Sequence, residues 1–396
     1  MGKENKTPKK GLRAVLVREL KRMSSQQIYM WILFILPLFS FLLFTTMFHE
    51  GKAEGFSIAV FDADNTALSR QIKRWVEATP EIEIKTEVNS LEAGKRLIEK
   101  SEVRGVLYIP KGTESGIYRG DANKLVLFYS NTNLSAGSSV SVATMKAIGT
   151  LSAGINLQKR MAHTEMYEQA FTNIQPIVVD THALYNPYIN YAYYLVTALL
   201  PVMLLMFIIS ATIFSIGTEL KYSTAKEWFE TSGESIIVAL TGKLLPYSFV
   251  FIIEAFFINT ILFKYMHAPM NGNLFVIFIS TIFFVFAYQA MGVFIISVFP
   301  NVRLSLSLGA AYSSLAFSFA GLTFPTVAMG TAMQYFSEIF PYTHYLRIYI
   351  NEAMKGLDLR FSLPSFWILA IFISLPFFLI PRLRKFLTNK KYWGKI

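Results

Sequence analysis

The sequence predicts a polytopic α-helical membrane protein with six transmembrane helices and an inserted α/β extracytoplasmic domain built on a mixed sheet. Three observations predict it. One apolar span near the N-terminus is followed by a long polar insert and then by five more apolar spans. Of the 396 residues 53% are hydrophobic and only 16% charged, with 35 Phe, which points to lipid as solvent. Eight Lys or Arg fall within the first 22 residues and six more between Arg382 and Lys395, each block abutting an apolar span. That is the placement of cytoplasmic anchors against an anionic leaflet. The net charge of +11 is therefore not spread as a nucleic-acid-binding face, and nucleic acid is excluded as a partner.

Residues 1–27 hold a basic segment, LRAVLVRELKRMSS. Leu12, Val15, Leu16, Leu20 and Met23 recur at helical spacing, and Arg13, Arg18, Lys21 and Arg22 lie largely off that stripe. The expectation is an amphipathic helix along the inner membrane surface; a plain charged flank is the blander reading. Span one, 28–48, reaches ~31 Å at 1.5 Å per residue, enough to cross the hydrocarbon core. It is too long for a signal-peptide core, and Pro37 is expected to kink it.

Residues 49–190 change character. FSIAVFDAD reads as a strand, and NTALSRQIKRWVEAT as a helix capped by Asp64 or Asn65. EIEIKTEV is a second strand, and SLEAGKRLIEKSEV a helix with Ser90 as its N-cap. RGVLYIP and KLVLFYSN are further strands, and a helix is expected from about Ser138 to Gln169. Alternating strands and helices predict a small α/β domain outside the bilayer. The transmembrane domain resumes over 191–383, with spans at 191–216, 236–263, 274–298, 304–324 and 366–380. The fifth is rich in Ser, Ala and Gly, which suits close helix packing. A basic tail, 384–396, closes the chain. Six spans return the C-terminus to the side of the N-terminus, so the positive-inside rule and parity agree. Both ends are then cytoplasmic and 49–190 lies outside.

Cysteine is absent, and the five histidines (His49, His163, His182, His267, His344) have no ligand spacing, so no metal is assigned. His49-Glu50 lacks the second His of a zinc helix. Asp62, Asp64 and Asn65 imitate the start of a calcium loop, but Ala67 and Lys73 stand where Gly and Glu are required; a strand end with a helix cap explains them. Gly242-Lys243 is not a phosphate loop, because Ile237 stands where the first Gly belongs and no strand precedes it. Lys243 is read as snorkelling to the inner headgroups. Within the spans, Glu254, Asn259 and Gln289 are polar. They are candidates for the lining of a transport path, against the blander reading of interhelical hydrogen bonds.

Five segments, in order, resemble the type-2 permeases of ATP-binding-cassette exporters, in the subgroup with a large extracytoplasmic domain after the first span. They are IAVFDADNTALSRQI, VRGVLYIPKGTESGIYRG, YNPYINYAYYLVTALLP, GTELKYSTAKEWFETSGESIIVALTGKLLPY and FPYTHYLRIYINEAMKG. Thr113 stands where the family usually has Phe, and Ser215 and Ile216 stand where it has a basic–acidic pair. The resemblance implies a cytoplasmic coupling segment at 217–233 that docks on an ATPase subunit. Its candidate residues are Gly217, Thr218, Glu219, Lys221, Lys226, Glu227, Trp228 and Phe229, where docking asks for exposed charges plus an aromatic anchor and Trp228 and Phe229 beside Lys226, Glu227 and Glu230 fit; an ordinary solvated loop is the blander reading. It implies re-entrant helices over 327–363 that cap the exit, with Pro341, Thr343, Arg347 and Glu352 as candidate gate residues; plain surface helices are the equal alternative.

The resemblance further implies the membrane-spanning subunit of an exporter for an amphipathic substrate: a drug, a lipid or a lipid-linked molecule. ATP and Mg would be bound by the partner ATPase, with no cofactor in this chain. A second permease copy or paralogue would complete a dimer. The setting would be a bacterial inner membrane, with membrane lipid around it and room for a periplasmic adaptor on the outer domain. The chain would not itself be an enzyme. The alternative from another class is a non-transporting receptor or scaffold whose α/β domain binds a ligand or partner.

Overall fold

Leu12–Ser25 forms α1 in the computed structural model, which describes residues 10–48, 54–119, 124–132, 134–162, 190–322 and 324–394. The helix is present, but its inner face differs from the apolar stripe read in the sequence. Val15 and Glu19 are buried, whereas Leu12, Val17 and Leu20 are exposed. The inner face is chosen by Glu19, which finds cationic and hydroxyl partners described below. Helix α2, Gln27–Met47, is the first span. Its irregularity is one widened, i→i+5 turn at Trp31–Ile35, just before Pro37, where the missing proline N–H would otherwise leave the ladder incomplete.

The chain divides into two units, 52–182 and the remainder (1–51 with 183–396). In the inserted unit, strands β1 (Phe56–Asp62), β2 (Ile82–Glu87), β3 (Gly105–Ile109) and β4 (Val126–Tyr129) alternate with α3 (Ala67–Glu77), α4 (Leu91–Glu99), α5 (Thr113–Arg119) and α6 (Leu134–Ala162). The sheet order is β2-β1-β3-β4. β1 runs parallel to β2 and β3, and β4 is antiparallel to β3, so the sheet is mixed. Ser90 caps α4. The cap of α3 is Thr66, not Asp64 or Asn65: Thr66 and Ser69 exchange side-chain and backbone bonds in a capping box. Helix α6 lays Val140, Ala143, Ala147 and Leu151, one face at helical spacing, into a core with Ile58, Val60, Leu107 and Ile72. Residues 163–169 of the helix expected there lie outside the described residues, as do His163, His182 and the Asn186-Pro187 pair.

In the membrane unit the elements are α7 (Tyr191–Lys221), α8 (Ala225–Thr231), α9 (Ile236–Thr260), α10 (Leu274–Val298), α11 (Val302–Phe319), α12 (Thr331–Ser337), α13 (Pro341–Tyr349) and α14 (Leu363–Thr388). Among the described residues five helices are long and apolar enough to cross a membrane: α2, α7, α9 with its extension to Tyr265, α10 and α14. The sequence reading counts α11 as a sixth, but its serines and Arg303 keep it out of that apolar group. The last span also exceeds its expected 366–380 limits. A 3₁₀ turn at Leu375–Leu379 admits Pro376 and carries the helix on into the basic tail.

α7 and α10 are the centre of the bundle, with 67% and 61% of their apolar windows buried, against 28% for α2 and 11% for α14. The outer helices instead expose large apolar side chains such as Phe39, Leu42, Trp367 and Phe378, as lipid contact requires. Small residues bring the centre together. A Cβ at Gly292 of α10 or Gly309 of α11 would stand 2.8 Å from Thr212 or Ile209 of α7. Buried tyrosines tie α13 to the same core: Tyr342 donates its hydroxyl to the Ala198 carbonyl at 2.8 Å and its N–H to Tyr288 Oη at 3.2 Å.

Candidate functional site

The end of α7 turns sharply into α8, and α8 turns back into α9. Ser223, Gly233 and Glu234 take left-handed backbone conformations at these two turns, with φ of 59°, 71° and 59°. Ser235 caps α9 through the Val238 N–H. This tight double turn leaves Glu219, on the last turn of α7, fully buried.

The Glu219 carboxylate is surrounded. Arg18 of α1 donates to both its oxygens, at 2.6 and 3.0 Å, the bidentate geometry a guanidinium favours. Lys243 of α9 donates at 2.9 Å, and Arg22 of α1 and Thr224 also donate to it. Lys243 is fully buried too, and donates to Glu19 of α1 at 2.6 Å; Tyr247 donates to the other Glu19 oxygen at 2.6 Å. Arg22 reaches Thr218 at 2.5 Å, and Arg18 reaches the exposed Glu227 of α8 at 3.3 Å. Three cations thus face two buried carboxylates, with Glu227 at the solvent edge as the third anion. Lys243 lies 4.7 Å from the Trp228 ring centroid, a cation–π contact inside the same cluster.

The burial of so many ions is costly unless every charge is met, and here each has a partner. Backbone contacts fix the same arrangement. Gly11 N–H donates to the Thr231 carbonyl at 2.8 Å. A Cβ at Gly242 would stand 2.8 Å from Val15, so α1 seats directly on α9 only because glycine stands there. The C-terminal part of α14 and the tail after it close the other side: Arg384 lies over the Phe229 ring at 6.0 Å, and Gly394 N–H of the tail donates to the Leu220 carbonyl at 3.0 Å. Two segments distant in sequence, α1 and the C-terminal stretch, therefore converge on α8 and the helix ends that flank it.

Several expectations are corrected here. The aromatic pair Trp228 and Phe229, the anchor named in the sequence, faces inward within the chain. Both are buried, with Ala225, on the inner face of α8, and Trp228 Nε1 donates to the Ala239 carbonyl at 3.3 Å. The exposed aromatic of the segment is Tyr222, with Lys221 5.7 Å from its ring centroid, and Lys226, Glu227 and Glu230 are exposed as well. Lys243 does not snorkel to a surface; it is a buried counter-ion. Gly217 is a packing residue, its absent Cβ making room for Val302 of α11. Thr218 back-bonds to Phe214 at 2.6 Å while receiving Arg22.

The polar residues of the spans do not converge. Gln289 of α10 accepts from Ser248 of α9 at 2.7 Å, and Asn259 of α9 donates to Thr281 of α10 at 3.2 Å. Both are interhelical bonds. Glu254 is buried, and neither of its oxygens has a hydrogen-bond partner among the described residues. Of the candidate gate residues, Pro341 opens α13 at its first turn, Thr343 donates to the Ser337 carbonyl at 2.8 Å, and Arg347 pairs with Glu338 of α12 at 2.7 Å. Glu352 is apart from these, buried and accepting from Ser362 at 3.0 Å. Together the first three fasten α12 to α13 as a hairpin. Among the described residues no group of His, Cys, Asp and Glu has the placement of a metal site. Asp64 accepts from the N–H groups of Gly112 and Glu114, at 2.6 and 3.0 Å, and so latches the start of α5.

Fold and site together define a multi-pass membrane protein whose most constructed feature is an ion-locked joint. The family model of the ABC-2 family transporter proteins matches residues 28–380, and the chain belongs to that family. No curated relative matches the chain.

Proposed function

We propose that the chain is the permease subunit of an ABC exporter, and that the Glu219 cluster is the joint through which a partner ATPase moves the membrane helices. One observation carries this reading. Buried ion pairs lock α1, α7 and α9 to one another, and α8 is seated on them through Thr224 at its start, which donates to Glu219, and Trp228, whose ring lies 4.7 Å from Lys243; the other face of α8 presents Lys226 and Glu230 to solvent, with Tyr222 exposed in the turn before it. A force applied to α8 is passed to three helices by contacts that are strong only when complete.

In this reading α1, α8 and both termini are cytoplasmic, as the basic blocks favour, α11 makes the sixth crossing, and the inserted unit lies outside a bacterial inner membrane. ATP and Mg belong to the ATPase. The face of α11 carrying Ser307, Ala310, Ala311 and Ser314 is exposed in a single chain. It is too polar for lipid and suits a second permease copy across a transport path. The α12–α13 hairpin sits at the outer exit. The substrate class is amphipathic, moved outward, with an adaptor on the outer unit as a further partner.

The test is purification of the tagged chain from its native host in mild detergent. A stoichiometric ATPase subunit is expected, and the triple variant Tyr222→Ala, Lys226→Ala, Glu230→Ala is expected to lose it while keeping its fold. A dimer that carries no ATPase would transfer the weight to the receptor or scaffold reading.

A further inference from the structure

We propose that the inserted α/β unit holds a binding site for a single-chain anionic amphiphile, an acyl chain ending in a carboxylate or phosphate. Between β4, α5 and the second half of α6 lies a cavity of about 760 Å³. That is within the range of small-ligand pockets, roughly 300–1,000 Å³. Its walls are mostly apolar. Ile117, Leu125, Leu127, Ile148 and Ile155 pack against the unit's core yet remain half-buried. Apolar side chains left facing a cavity of this size lose the contacts that a sealed core would give them. An acyl chain restores those contacts.

The charge of the lining selects the head group. Among the described residues no carboxylate lines the cavity, and the ionic groups there are Lys124, exposed where the cavity meets solvent, and Lys159, half-buried. Lys159 donates to the Ile117 carbonyl at 2.7 Å, which aims its ammonium at this region and leaves its other N–H groups for an anion. Neither lysine has a carboxylate partner among the described residues. Ser152 and Asn156 add neutral polar contacts on the same helix. Gly149 lines the cavity as well, and a Cβ there would meet nothing within 4 Å. A side chain can therefore start from this point of the wall without its Cβ meeting protein atoms.

Binding at this site requires neither ATP nor a partner subunit, so its failure and the failure of the transport reading are separable. The probe is a palmitic acid analogue carrying a photoactivatable diazirine and an alkyne. It is added to the full chain in phosphatidylcholine nanodiscs, irradiated, and mapped by mass spectrometry of the digested protein. Label is expected on peptides covering 113–119, 124–129 and 144–159, and Gly149→Trp is expected to reduce it about fivefold or more by occupying the cavity. The double variant Lys124→Gln, Lys159→Gln is expected to raise the palmitate concentration needed for competition about tenfold, the order of one lost charge-assisted contact, without changing competition by hexadecanol. Limited proteolysis of each variant checks that the unit is folded. Label confined to the membrane helices overturns the proposal, as does outer-unit label indifferent to Gly149→Trp. A cavity that takes no label, as one filled by the chain's own residues or a protein partner would, overturns it equally.

Discussion

Glu219 and Glu254 sit on neighbouring helices at nearly the same burial, 0% and 5% exposed, yet their surroundings are opposite. Glu219 collects Arg18, Arg22, Lys243 and Thr224. Glu254 collects nothing among the described residues. The difference teaches that burial measures only what a carboxylate costs, while its partners decide what it does. One side chain of two oxygens holds α1, α8 and α9 to α7. The other leaves a cost of roughly 2.5 kcal/mol or more for a mid-helix carboxylate without an offset inside the chain.

The largest expected effect breaks the first half of this comparison. Glu219→Gln removes the carboxylate that three cations share, leaving Arg22 with none and Lys243 and Arg18 with one each, Glu19 and Glu227; loss of about 3–5 kcal/mol is expected, read as a large fall in the thermal unfolding midpoint in nanodiscs. Adding Arg22→Met, which removes the cation left without a carboxylate while Lys243 keeps Glu19, should recover part of the loss. A Glu219→Gln variant that melts like the parent would mean that the cluster does not hold the joint. The second half is tested by Glu254→Gln. Here stability is expected to hold or rise, by up to about 1–2 kcal/mol, because the neutral amide is cheaper to bury than an unmet carboxylate. A clear fall in melting temperature would reveal a partner for Glu254 and dissolve the contrast.

What was legible in the sequence follows the range of the contacts involved. The sheet of the insert was readable because FSIAVFD and EIEIKTEV alternate within themselves and Ser90 caps its own helix. The ion cluster was not, because Arg18 and Glu219 are 201 residues apart and no local period links them. One signal did exist. Val15, Glu19 and Arg22 recur at i, i+4 and i+7, which places an acid on the same face as an apolar residue and argues that the face is not lipid-directed. In α8, adjacent Trp228 and Phe229 looked like an anchor because a seven-residue helix has too few turns to declare its inner face. In the spans, nothing local separates Gln289, which bonds across to Ser248, from Glu254, which has no partner among the described residues. Partner choice there is decided by helices dozens of residues apart.

Asp62 extends the comparison to a carboxylate that is met by partners but outside the membrane. Burial would raise its pKa, yet hydrogen bonds from Asn65 and Ser69 and the ammonium of Lys73, 3.2 Å away, hold it below the ordinary carboxylate range. A lowered folded-state pKa means stability that is present above the unfolded value, about 3.9, and lost as pH falls through the folded one. Lys73 is shifted the other way: burial lowers its pKa, but Glu87 and Asp62 outweigh this and raise it, so its contribution is lost only as pH rises through the raised value. Protection of β1 and α3 against hydrogen exchange, taken relative to the intrinsic rate at each pH, should therefore fall on acidification below about pH 4, and Asp62→Asn should flatten that dependence. An unchanged acid limb in Asp62→Asn would assign the effect to other groups.

The smallest expected effect is at the surface of α8, where Lys226 and Glu230 form an i,i+4 pair at 3.6 Å with both side chains at least half exposed. Water screens that pair and competes for both ends, so Lys226→Ala should change stability by no more than about 0.5 kcal/mol. Only a few ångströms inward, the same kinds of charges on Arg18 and Glu219 are expected to matter several times more. If α8 docks on an ATPase, Lys226→Ala should weaken recovery of that subunit while leaving the melting temperature in place, because an exposed charge contributes to a partner's approach more than to its own fold. A melting loss as large as that of Glu219→Gln would show that the outer face of α8 is part of the joint, and the boundary between locked interior and docking surface would have to be redrawn.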